Sequence, residues 1–182
     1  YVDGGRDLLA YMTGALGLDS LAGCRMLDMG CGTKFTQAIL DYDIAIGEYV
    51  GVDIYPEMIE FLSGAVKDSR FSFHHMNTHN DMYNPAGEKL SADTRLPLPE
   101  AGFDVISLFS VFTHIVPEDY HNMLRVLRPY IKDDGRIIFS LYIEELTHNG
   151  HGLIEQVTAD IRDTWQPTGK DFYDGIPDKP LQ

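Results

Sequence analysis

The 182 residues predict an α/β fold: a doubly wound, mostly parallel sheet covered by helices on both faces. Two observations carry this reading. Short apolar runs of strand length alternate along the chain with segments of helical period. Turn residues separate them, as at Gly30–Gly32 and Asp133-Asp134-Gly135. Strand–helix alternation of this kind requires right-handed crossovers between parallel strands.

The elements follow in order. Leu8, Leu9, Met12, Ala15 and Leu16 recur at helical spacing, which predicts a helix near residues 5–17. Arg25 to Met29 reads as a strand that ends at Gly30. Phe35, Ala38, Ile39 and Tyr42 give the next helix one apolar stripe, and Tyr49 to Asp53 reads as the second strand. Pro56 suits a first helical turn ahead of Met58, Ile59, Phe61 and Leu62. Phe71 to Met76 is the third strand. Residues 77–102 then break the rhythm with Asn77, Asn80, Asn84, Pro85, Gly87, Pro97, Pro99 and Gly102. So long an insertion is either a functional lid or a surface excursion. Phe103 to Phe109 is a fourth strand, and Pro117 opens a helix with Tyr120, Met123, Leu124 and Leu127 on one face. Arg136 to Tyr142 is a fifth strand after the Asp133-Asp134-Gly135 turn. Leu153, Val157, Ile161 and Trp165 suggest a last helix, and the residues from Pro167 on read as irregular. The length fits a single domain over 1–182, with 77–102 as a long loop and 150–182 as a tail.

Composition excludes several classes. Fourteen Lys and Arg against 28 Asp and Glu leave a net charge of −14. A chain this acidic repels phosphate backbones and anionic lipid, so neither nucleic acid nor a membrane is an expected partner. No apolar run approaches the ~20 residues of a membrane span, and no signal peptide is seen at the start. Tyr1 in place of Met suggests a trimmed N-terminus. Cys24 and Cys31 make no disulfide framework and read as reduced thiols, which points to a cytoplasmic location. The histidines at 74, 75, 79, 114, 121, 148 and 151 form no close Cys/His zinc pattern.

In a doubly wound sheet, ligands sit at the carboxyl ends of the strands near the switch in strand order. The sequence there is Leu27-Asp28-Met29-Gly30-Cys31-Gly32-Thr33, a strand running through two glycines into a helix. Such glycines let backbone approach a ligand closely. Asp53 closes the next strand, where an acid can accept from both ribose hydroxyls. Together they read as an adenosine-type cofactor site. A dinucleotide fingerprint needs a third glycine three residues after Gly32, and Phe35 stands there. Asp28, two residues before Gly30, suits a ligand ammonium instead, as in S-adenosylmethionine.

These residues resemble the first motif of the class I S-adenosylmethionine-dependent methyltransferases. The resemblance runs on through Val52-Asp53-Ile54, Phe103-Asp104-Val105-Ile106, Ser110-Val111-Phe112-Thr113-His114 and Leu127-Arg128-Pro129…Gly135-Arg136, roughly residues 20–142. It implies a Rossmann-like sheet of the class I methyltransferase type. It also implies roles for a cofactor set of Asp28, Gly30, Cys31, Gly32, Asp53, Ile54, Asn77, Asp93, Phe109 and Ser110. Gly30 and Gly32 would line the methionine part, Asp53 would hold the ribose, and Ile54 would pack on the adenine. Phe109 and Ser110 would approach the amino group by backbone. Asn77 and Asp93 are the alternatives for the adenine edge. The sequence departs from the family at Lys34, where a third glycine is usual. A lysine there would crowd the cofactor, or point to solvent or the acceptor. The usual C-terminal strand pair is missing or diverged after Tyr142.

Methyl transfer from a sulfonium mainly requires alignment of the acceptor, and a hydroxyl acceptor must also lose a proton. His114, just past the fourth strand, is the expected general base. His148 and His151 are weaker alternatives, and Glu144 and Glu145 could hold a divalent cation such as magnesium. Met76, Met82, Tyr83 and Phe112 could wall an acceptor pocket. The expectation is therefore O-methylation of a small-molecule acceptor such as a sugar or other metabolite, by a chain that could form a homodimer. The alternatives are a non-catalytic S-adenosylmethionine-binding module and a methyltransferase acting on a protein.

Overall fold

The structure, a computed structural model, describes residues 2–100 and 102–141. Residues 1–141 form one compact unit. Five strands make one sheet: β1 (Arg25–Met29), β2 (Glu48–Asp53), β3 (Phe71–His75), β4 (Phe103–Leu108) and β5 (Ile131–Phe139). Their order across the sheet is β3-β2-β1-β4-β5, and every described pairing is parallel. The order reverses between β1 and β4. That is the switch point at which ligands of such sheets bind.

The strands split the core by their period of two. Leu27, Met29, Val50, Val52, Ile106 and Leu108 face one layer, with Met123, Val126 and Leu127 of α4 (Pro117–Leu127) packed over them. Met26, Tyr49 and Val105 face the other, under α1 (Val2–Ala15) and α2 (Lys34–Asp41), which contribute Leu9, Met12, Phe35, Ala38 and Ile39. Helix α1 ends in a Schellman motif. Gly17 at φ 67° lets its own N–H reach Gly14 O and the Leu18 N–H reach Thr13 O, both at 3.0 Å. Proline opens both α3 (Pro56–Ala65) and α4. Its fixed φ is preset for the first turn, as the sequence predicts.

Several boundaries and faces differ from the sequence reading. On α4, Val126 is buried and Leu124 is exposed, while on α3 Phe61 faces solvent. The Asp133-Asp134-Gly135 turn is not a break before β5. Ile131 already pairs with Phe103, and the register slips before Val105 meets Arg136, so the turn is an irregularity inside the strand. A side chain at Gly135 would meet Ile131 and the Phe103 carbonyl, so glycine lets this bulge close.

The 77–102 insertion is a packed structure rather than a surface excursion. Leu90 and Leu96 enter the core, and the Tyr130 hydroxyl donates to Leu96 O and accepts from Leu96 N at 3.3 and 3.0 Å. Isolated bridges join Thr78 to Glu88 and Asn80 to Asn84. The expected helix around 153–165, and Glu144, Glu145, His148 and His151, lie outside the described residues. Both Cys24 and Cys31 are free thiols. Among the described residues no helix is long and apolar enough to cross a membrane.

Candidate functional site

A cavity of about 290 Å³ opens at the carboxyl ends of β1, β2 and β4. That approaches the lower end of the ~300–1,000 Å³ usual for small-ligand sites. Its first wall is the turn after β1. Gly30 has φ 67° and Gly32 φ 44°, and both line the cavity. A Cβ at Gly30 would stand 2.7 Å from Val111 Cγ2, whereas one at Gly32 would meet nothing within 4 Å. The first glycine thus allows a close approach between turns, and the second leaves the floor open for a ligand. The turn is anchored by Val52 O, which accepts from Gly30 N at 2.8 Å and Cys31 N at 3.2 Å.

Asp53 ends β2 beside this turn. One carboxylate oxygen accepts from Gly32 N at 3.1 Å and the other from Tyr55 N at 3.0 Å. Two backbone donors therefore fix its orientation, and each oxygen keeps a lone pair for a ligand hydroxyl. Ile54 follows on the cavity wall, half-buried against the core. The opposite wall comes from the turn after β4: Phe109, Ser110, Val111, His114 and Ile115. Ser110 takes φ 60°, unusual for a residue with a side chain, and its N–H donates to Ser140 Oγ at 2.8 Å. Strain of this kind, held by its surroundings, is common at functional turns.

The structure brings together Gly30, Gly32, Asp53, Ile54, Phe109, Ser110 and His114 and leaves four predicted residues out. Asp28 is buried on the α1–α2 face of the sheet. Its oxygens accept from the Tyr49 hydroxyl at 2.6 Å and the Ser107 hydroxyl at 2.5 Å, and it does not line the cavity. Burial pushes its pKa up to about 6, against the lowering effect of the two hydroxyl donors. Cys31 is buried against Gly51 and the inner side of α3, and burial raises its thiol pKa further. Neither alternative for the adenine edge reaches the cavity. Asn77 accepts from Asn84 Nδ2, and Asp93 is exposed in a turn whose N–H bonds Ser91 Oγ. Met76 and Thr78, either side of Asn77, line it instead. Lys34 does not line the cavity, and its Cγ packs close to Gly5 of α1.

Of the expected acceptor wall, Met76 and Tyr83 line the cavity. Phe112 is core, edge-on to Tyr120 and Phe139, and Met82 is exposed. Tyr55, His79 and Asn80, in the strand-end segments where a ligand is expected, also line it, and sequence reasoning missed Met58, Asp119 and Met123. Only the places of Met58 and Asp119 in the first turns of α3 and α4 pointed that way.

A family model described as a methyltransferase domain matches residues 27–139. The chain belongs to the class I S-adenosylmethionine-dependent methyltransferases. An uncharacterized protein of Haemophilus influenzae is 31% identical over 132 residues, which are 68% of this chain and 44% of that one. An S-adenosylmethionine-dependent methyltransferase from Mesorhizobium loti superposes with a TM-score of 0.53 at 18% identity, covering 79% of this chain and 57% of the other. The chain thus spans about half the length of these relatives, and the second likeness speaks for the fold alone.

The family's cofactor is S-adenosylmethionine, and the donor set fits it. The open floor at Gly32 and the anchored carboxylate of Asp53 suit an adenosyl ligand with two ribose hydroxyls. Among the described residues no group of three or more His, Cys, Asp or Glu side chains could hold a metal ion.

Proposed function

We propose that this chain is the catalytic part of a methyltransferase that methylates a hydroxyl of a small-molecule acceptor, such as a sugar or other metabolite. The observation that carries the reading is the cavity itself, which has Gly30, Gly32 and Asp53 on one side and His114 on the other. S-adenosylmethionine, when bound, supplies a methyl group on an activated sulfonium. Asp53 would accept from the ribose hydroxyls, and Ile54 would pack on the adenine. Met76 and Tyr83 offer an apolar and aromatic surface to the acceptor. The His114 imidazole is exposed on the 3₁₀ turn Phe112–His114 and sits edge-on to Tyr83 at 5.7 Å. There it can take the hydroxyl proton as the acceptor oxygen attacks.

Calorimetry with S-adenosylmethionine and S-adenosylhomocysteine tests the cofactor side. Methyl release with a panel of sugars and other hydroxyl metabolites tests the transfer. His114→Ala should lower turnover by about 10²–10⁴-fold, with cofactor affinity unchanged. Unaltered turnover in that variant would sink the assignment of the base.

A further inference from the structure

In the insertion after β3, the side chain of Asn80 makes a hydrogen bond to a residue beyond the insertion. Asn80 Oδ1 accepts from Met82 N at 3.0 Å and Tyr83 N at 3.1 Å, which closes a tight turn. Its Nδ2 donates to the His114 carbonyl at 3.0 Å, 34 residues on. Two N–H groups on one side and a carbonyl on the other admit only this orientation of the amide. Its backbone is engaged as well, by a reciprocal pair of bonds with Asn84 at 3.0 and 3.1 Å. The Tyr83 ring that this turn presents lies against the His114 ring.

We propose that Asn80 is a positioning residue for the acceptor side of the cavity, tying the Tyr83 turn to the His114 turn so that the two hold one relative geometry. The proposal rests on reading His114 as part of the transfer site. The backbone carbonyl of His114 is its contact point, so it sets where the imidazole starts from without touching the reacting atoms. A hydrogen bond that spans two loops fixes their spacing, and small misplacements at a transfer site are costly in rate.

Two variants separate the functions of the side chain. Asn80→Asp keeps an oxygen for the Met82 and Tyr83 N–H groups and loses the donor to His114. Asn80→Ala loses both. Hydrogen exchange of the full chain, followed amide by amide, reads each turn. In Asn80→Asp, protection at Met82 and Tyr83 should persist while the His114 amide, bonded to Val111 O, exchanges about tenfold faster. In Asn80→Ala both should exchange faster. S-adenosylhomocysteine affinity should stay within about twofold in both. With an acceptor from the metabolite panel, Asn80→Asp should lower kcat/KM for that acceptor about tenfold or more and leave KM for S-adenosylmethionine unchanged. Unchanged protection at His114 in Asn80→Asp, or an equal loss at both turns, overturns the proposal. The exchange readout needs no acceptor, so a panel that yields no substrate sinks the transfer reading and not the tie.

Discussion

Gly30, Gly32 and Asp53 on one wall of the cavity are placed by backbone. Strand register sets their spacing, positive φ shapes the turn, and two N–H groups hold the carboxylate. Across the cavity, the 77–88 loop and the His114 turn add side-chain bonds to their backbone bridges. Asn80 and Asn84 carry most of those bonds. The first wall is hydrogen-bonded directly to the sheet beneath it. The second depends on amide groups that single substitutions can remove. Under the proposed function the two walls should respond differently to mutation.

The largest effect is expected on the first wall. Gly30→Ala would place a methyl 2.7 Å from Val111 Cγ2 at a φ of 67°. Left-handed strain of about 1–2 kcal/mol and overpacking of about 1–3 kcal/mol add together. Urea unfolding should show a loss of several kcal/mol, and S-adenosylhomocysteine binding should weaken at least tenfold. A variant that binds as tightly as the parent would mean that this wall is not set by its backbone.

Beneath the same wall lies Asp28. Its carboxyl titrates near 3.8 in the unfolded chain and near 6 when folded, chiefly because of burial. Between those values the folded state keeps a proton that the unfolded state has shed, so this group's contribution to stability is fullest below about pH 4 and falls as pH climbs through 6. About two pH units correspond to roughly 3 kcal/mol. Asp28→Asn should flatten this part of the stability profile, which denaturant melts between pH 4 and 7 would reveal. An unchanged slope would place the titration elsewhere.

The same division explains what the sequence could show. Glycines at a strand end, an acid closing the next strand, and prolines at helix starts are local signals with one physical meaning each. They place the sheet, its order of elements and the first wall. Asp28 misleads because its place in the motif suggests a ligand contact, while the alternation of β1 turns it to the face shared with Tyr49 and Ser107. On the second wall, Phe109, Ser110 and His114 are legible from their place after the fourth strand, whereas the asparagines of the insertion carry no such signal. Asn77, Asn80 and Asn84 look alike as turn formers in the sequence. Only the fold shows that one accepts within the loop, one reaches the His114 turn and one is buried.

The buried one gives the smallest and most discriminating test. Asn84 is 8% exposed, and its Nδ2 donates to Asn77 Oδ1 at 3.2 Å and Thr78 O at 3.1 Å. Gly87 lies so close that any Cβ there would meet this amide at 2.6 Å, so no water-sized gap separates the turns. Asn84→Ala leaves Asn77 Oδ1 and Thr78 O without this donor, a cost of about 1–3 kcal/mol. Because Leu90 and Leu96 still anchor the insertion in the core, that cost should fall on the loop rather than on the sheet. Amide exchange at His79 and Glu88, whose N–H groups bridge the two sides of the loop, should accelerate, while S-adenosylhomocysteine affinity stays within about twofold. Equal weakening of the cofactor side would show the walls to be one cooperative unit, and their separate construction would then have no functional consequence.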